Sequence, residues 1–150
     1  MTGEISKAAA IVGAAEANQI GFLEEPVTSL QLHIEAIKNL SVQTGVPIRS
    51  IEGVFSTGWS SELCEHLGIQ PKYIDTTAVG GCSFEMHVHH AMCAIHAGII
   101  ESALISHGEN GFSARRIGGR GGGNYGRGGG ISSPGMEMSM AYGLGGAPSN

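Results

Sequence analysis

The sequence predicts an α/β fold built on a largely parallel sheet, and three observations lead there. Short apolar runs of strand length alternate with segments of helical periodicity, glycines close the helical segments, and the connections between them are short. Strands joined through helices in this way need right-handed crossovers, which place helices on the faces of a parallel sheet. The predicted order is β-α-β-α-β-α-β over residues 1–108, followed by a glycine-rich loop region at 109–150.

The first strand is expected at residues 8–13, where Ala8, Ala9, Ala10, Ile11 and Val12 form a short apolar run that ends in Gly13. A helix follows Thr28. Leu30, Ile34, Ile37 and Leu40 recur at helical spacing, Thr28 with Gln31 gives a capping-box pattern, and Gly45 with Pro47 ends the run. Residues 51–55 alternate apolar and polar positions around Gly53 and read as the second strand. A short helix over 60–67, closed by Gly68, leads to a third strand at 73–77. After Gly80 and Gly81 a helix is expected over 82–97, stopped by Gly98, and then a buried strand at 102–106.

A chain of 150 residues and 15.4 kDa is expected to form one domain with a sizeable core, which its 41% hydrophobic content supports. Charged residues make up 14%, below the roughly 25% usual for soluble domains. Fifteen of the 25 glycines lie between Gly108 and Gly146, so the unusual composition is local. No window reaches the ~18 apolar residues that a membrane span needs, and Met1 opens onto Thr-Gly-Glu rather than a basic and apolar leader. A cytoplasmic protein with no membrane partner is expected, its three cysteines (Cys64, Cys82, Cys93) being free thiols. Residues 1–107 carry a net charge of −7 and residues 108–150 one of +2, a contrast that suits the tail to an anion.

In open parallel sheets ligands bind beyond the carboxyl ends of the strands, and the turn Gly80-Gly81-Cys82 lies at such an end. The two glycines permit a sharp turn and close backbone approach. The helix start that follows favours a thiolate through its amides and dipole, and the same amides suit a developing oxyanion. The plainer reading of Cys82 is a small buried thiol packed at a turn.

The run Val79-Gly80-Gly81-Cys82-Ser83-Phe84, with residues 94–98 and 103–110 after it, resembles the nucleophile helix and following strand of the thiolase superfamily. It is most like the thiolase-like and sterol-carrier-type acyl-CoA acyltransferases. Residues 29–36, 51–55 and 137–144 are similar to the same group. The resemblance implies a thiolase-like N-terminal α/β domain at 1–108 and a substrate loop at 109–150. It implies that Cys82 takes an acyl group from acyl-CoA as a thioester, to be resolved by a second acyl-CoA or free CoA. Coenzyme A then enters as part of the substrate, with no permanently bound cofactor. Gly81 and Ser83 become substrate-binding residues, joined by Arg115 and Arg116, which lie in the segment that covers CoA and can pair with its phosphates. A solvated pair on a loop is the plainer reading of the two arginines.

Departures accompany the likeness. Thiolases usually carry Cys-Ser-Ser-Gly at the nucleophile, whereas this chain has Cys82-Ser83-Phe84-Glu85. Glu85 suits an acid or base in an aldol-type relative, and equally suits the dipole of a first helical turn. The family's two histidines and second cysteine belong to a C-terminal half. The sequence is therefore expected to be an N-terminal fragment or one part of a split enzyme, inactive alone, within a homo-oligomer or beside a hetero-partner that supplies the rest. A non-catalytic acyl-CoA or lipid-binding protein, or a thiolase-like subunit of an aldolase complex, is the alternative.

Three other features compete for attention. His89, Cys93 and His96 share a helical face, with His87 and His90 beside them, a spacing that can gather metal ligands. No fourth ligand is identifiable, histidines facing a partner subunit are commoner, and no metal is assigned. Residues 118–130 resemble an RGG segment but hold only two arginines and one tyrosine beside an acidic domain, so a flexible loop is expected and nucleic acid is not. The formal G-x-G-x-x-G at 121–126 neither follows a strand nor opens a helix, which argues against a dinucleotide site. Met136, Met138 and Met140 alternate as one apolar face, suited to core packing or to an acyl chain.

Overall fold

Thr28 starts the first helix, α1 (Ser29–Thr44), by the predicted reciprocal bonding: its hydroxyl accepts from the Gln31 amide at 3.2 Å, and the Gln31 side chain accepts from the Thr28 amide at 2.8 Å. Such a cap contributes about 1 kcal/mol. Gly45, at φ 71°, closes the helix by donating its N–H to Ser41. In the computed structural model, which describes residues 7–21 and 27–110, a 3₁₀ turn (Ile48–Ser50) leads from α1 to β1 (Gly53–Phe55). Then come α2 (Ser60–Leu67), β2 (Tyr73–Asp75), α3 (Ser83–His96) and β3 (Ala103–Ile105).

The three strands form one parallel sheet in the order β2-β1-β3, with Val54 opposite both Ile74 and Leu104. The chain passes from central β1 to one edge through α2, then crosses back over β1 through α3 to the other edge. The two helices consequently cover opposite faces. Val54 and Leu104 pack with Ile37, Leu63, Cys64 and Ile69 under α1 and α2, while Phe55 packs with Ala91, Ala94 and Ile100 under α3.

Every residue of β1 is buried, so the alternation around Gly53 does not produce a solvated face. A central parallel strand has helices on both sides and tolerates none. A Cβ on Gly53 would lie 2.6 Å from Ile100 Cδ1 and 3.0 Å from the Phe55 ring.

Residues 8–13 depart from expectation: they form no strand, and Ile11 and Val12 are 85% and 79% exposed. A strand persists only where a neighbour completes its hydrogen bonds, and this alanine-rich run has little intrinsic preference for one. Gly13 instead lies against the end of α1, where a Cβ would come 2.3 Å from Thr44 Cγ2. The described order is therefore α-β-α-β-α-β. Of the predicted glycine-rich region, only Glu109 and Asn110 are described. Asn110 is tied to the start of α1, donating to the Val27 carbonyl at 2.7 Å and accepting from Ser29 at 3.2 Å. No described helix is long and apolar enough to cross a membrane.

Candidate functional site

The turn that presents Cys82 is built by its neighbours. Gly80 adopts φ 94°, a left-handed conformation that glycine takes without strain, and its carbonyl accepts from the Ser83 amide at 3.1 Å and the Ser83 hydroxyl at 2.6 Å. The same hydroxyl accepts from the Val79 amide at 3.0 Å. Buried Ser83 thus pins the turn on both sides through its hydrogen bonds to Val79 and Gly80.

Cys82 occupies the N-cap of α3 and is exposed; its Sγ is 4.0 Å from the Val79 carbonyl. The plain reading of a buried thiol at a turn is overturned, because Ser83 fills the interior position and turns Cys82 outward. The buried cysteine is Cys64, whose thiol is pushed up by burial and by neighbouring Glu65. Among the described residues, a Cβ on Gly81 would meet nothing within 4 Å.

The start of α3 sits beside the end of β3, with the Phe84 ring 6.5 Å from that of His107. Near the end of β3 lies a buried histidine of α1. His33, on the apolar face of α1 four residues before Ile37, is 1% exposed, and its Nδ1 is 2.7 Å from the Ser106 hydroxyl. Burial, and secondarily the charge of His107, press its pKa down to about 4 against an opposing backbone bond with Gly108. His33 is neutral at pH 7.

A second polar cluster ends β2. Asp75 accepts from the Thr77 amide at 2.7 Å through Oδ1 and lies 2.6 Å from His90 Nδ1 through Oδ2, while its carbonyl accepts from the Ser60 hydroxyl at 2.8 Å. Burial opposes ionisation of this carboxyl, but bonds from Thr77 and His90 outweigh it and hold the group below the usual carboxylate range. Asp75, His90 and Cys93 line an open groove with Tyr73 and Thr77. Cys82 is not among the residues that line that groove. Ser56 Oγ and His87 Nε2 are buried with no hydrogen-bond partner among the described residues.

Sequence reasoning singled out Cys82, Gly81 and Ser83, which the structure brings together at one helix start, but missed His33, Asp75 and the His90 pairing. His33 had a signal in its four-residue spacing from Ile37. Asp75 had none, since its partner is fifteen residues on in another element. Arg115 and Arg116 lie outside the described residues, as do the 118–130 tract and the Met136, Met138 and Met140 alternation.

No protein-family model matches the chain, and no curated protein matches it. Among solved structures, a monomeric SCP2-thiolase like protein type 1 from Mycobacterium smegmatis superposes with a TM-score of 0.52 at 23% identity, covering 63% of this chain and 22% of that one. The fold is thiolase-like. In this thiolase-like unit β2, α3 and β3 form a crossover with Cys82 at the helix start. The chain spans about a fifth of the length of that relative.

Proposed function

We propose that this chain is a thiolase-like acyl-CoA acyltransferase module in which Cys82 carries the acyl group. The observation that supports it is an exposed thiol at the N-cap of α3, on a turn held by Ser83, with no described residue within 4 Å of a Cβ on Gly81. In the first half-reaction the Cys82 thiolate attacks the carbonyl carbon of an acyl-CoA. The tetrahedral oxyanion is stabilised at the start of α3, and collapse breaks the carbon–sulfur bond to CoA, which leaves as a thiolate and takes a proton from solvent. The product is an acyl-thioester on Cys82. Gly81 lets the substrate approach the main chain closely, Ser83 keeps the turn in place, and Arg115 and Arg116 pair with CoA phosphates.

The second half-reaction needs proton-transfer groups, and no described residue other than Val79 contacts the Cys82 sulfur within hydrogen-bond reach. The rest of a longer chain, a second copy or a different chain supplies them, so residues 1–150 alone acylate without turnover. The working environment is the cytoplasm, and CoA is bound only as substrate. A second reading, a non-catalytic acyl-CoA or lipid-binding subunit, is favoured by Phe84, which stands 46% exposed beside Cys82 where a smaller residue would leave more room.

Release of CoA from acetyl-CoA and longer acyl-CoAs separates the two. The acyltransferase reading expects a burst of free thiol stoichiometric with protein; the binding reading expects acyl-CoA retained intact.

A further inference from the structure

Past β3 the chain is fastened to the start of α1 at every second residue. The Ser106 hydroxyl lies 2.7 Å from His33 Nδ1. Gly108 lies against the same ring, where a Cβ would come 3.1 Å from His33 Cδ2. Asn110 Nδ2 donates to the Val27 carbonyl at 2.7 Å, and its Oδ1 accepts from the Ser29 hydroxyl at 3.2 Å. His107 and Glu109, which alternate with these residues, are exposed. An extended chain turns successive side chains to opposite sides, so one edge of residues 106–110 grips α1 and the other does not.

None of residues 106–110 belongs to either described hydrophobic cluster, and β3 has already ended at Ile105. What the fastening fixes is the point from which the chain continues after Asn110. Arg115 and Arg116 follow Asn110 by five and six residues. Five residues of chain reach at most about 18 Å, so a fixed Asn110 bounds where the two arginines meet a ligand. Restricting a binding segment in advance removes part of the ordering cost that binding otherwise bears.

We propose that Asn110 is a positioning residue for CoA, fixing the root of the segment through which Arg115 and Arg116 pair with the CoA phosphates. His33 supports it by holding Ser106 and Gly108. This role rests on the acyl-CoA reading of the two arginines, and it does not require that Cys82 take the acyl group.

The test is calorimetric titration of the full chain with CoA and, separately, with pantetheine, which lacks the phosphates. The native sequence is expected to bind CoA about tenfold or more tightly than pantetheine, and the Arg115→Ala/Arg116→Ala double variant to lose that difference. Asn110→Ala is expected to weaken CoA by about fivefold or more, to leave pantetheine unchanged, and to have no further effect in the double variant. A loosened fold would move both ligands. Circular dichroism identifies the folded variants to compare, and Ser29→Ala, which removes one Asn110 bond from the α1 side, decides the matter if Asn110→Ala does not fold. Binding is read without acyl transfer, so a failure of Cys82 as acyl carrier is told apart from a failure of Asn110 as anchor. Equal affinity of the native sequence for CoA and pantetheine, native CoA affinity in the folded variant, an equal loss of both ligands, or a loss that persists without the two arginines overturns the proposal.

Discussion

Asp75 Oδ2 lies 2.6 Å from His90 Nδ1, joining the end of β2 to the third turn of α3 across the seven-residue loop that ends at Cys82. With Thr77 held by the other carboxylate oxygen and Ser60 by the Asp75 carbonyl, this one residue anchors both ends of the connection to Cys82. Replacing it with alanine removes charged hydrogen bonds from a nearly buried site, and a loss of about 2–3 kcal/mol is expected in urea unfolding. Because the folded carboxyl is held below its ordinary range, its contribution is present above the unfolded carboxylate pKa and fades as pH falls through the lower folded value. The Asp75→Asn variant is expected to show a flatter acid limb.

His33 governs a different pH window. Its folded pKa of about 4 lies below the ordinary 6.5, so the unfolded chain binds a proton first. The stability it confers is complete above pH 6.5 and is lost as pH falls from 6.5 to about 4, by roughly 3 kcal/mol at most. Chemical denaturation across that range is expected to show this slope in the native sequence and to lose it in His33→Gln.

Three glycines are expected to answer differently to alanine. Gly53→Ala places a methyl against Ile100 and Phe55, both wholly buried, and costs about 1–3 kcal/mol through overpacking. Gly80→Ala strains a backbone at φ 94° by about 1–2 kcal/mol although no described residue lies within 4 Å of the added Cβ. Gly81→Ala meets neither obstacle and shifts stability by less than about 0.5 kcal/mol. A selective loss of Cys82 acylation in that variant marks the path of the substrate. Thermal unfolding beside acylation rate separates the three.

Thiol accessibility gives a fourth expectation. Cys82 is exposed, Cys93 half-buried and Cys64 buried with its thiol pushed up. Timed alkylation with peptide mapping is expected to label Cys82 first and Cys64 only on unfolding.

The parts of the fold that were legible in the sequence are those specified locally. Thr28 with Gln31 and Gly45 bound α1, Gly68 closes α2 and Gly98 follows α3, because caps and left-handed turns depend on residues within one or two turns. The strands were harder. Each is three residues long, shorter than its apolar run, since pairing with a neighbour sets where a strand ends, and residues 8–13 have no neighbouring strand among the described residues. The placement of Cys82 at a helix start was legible because glycine, cysteine and helix are adjacent in the chain. His33 with Ser106, 73 residues apart, was not, because only the tertiary fold brings them together.

Intact-mass spectrometry of the reduced chain after incubation with acetyl-CoA and longer acyl-CoAs, beside Cys82→Ser, tests the central claim most directly. The account predicts a single acyl adduct that is released by thiol and absent from the variant. A folded protein that gains no adduct, or one whose adduct persists in Cys82→Ser, would contradict Cys82 as the acyl carrier.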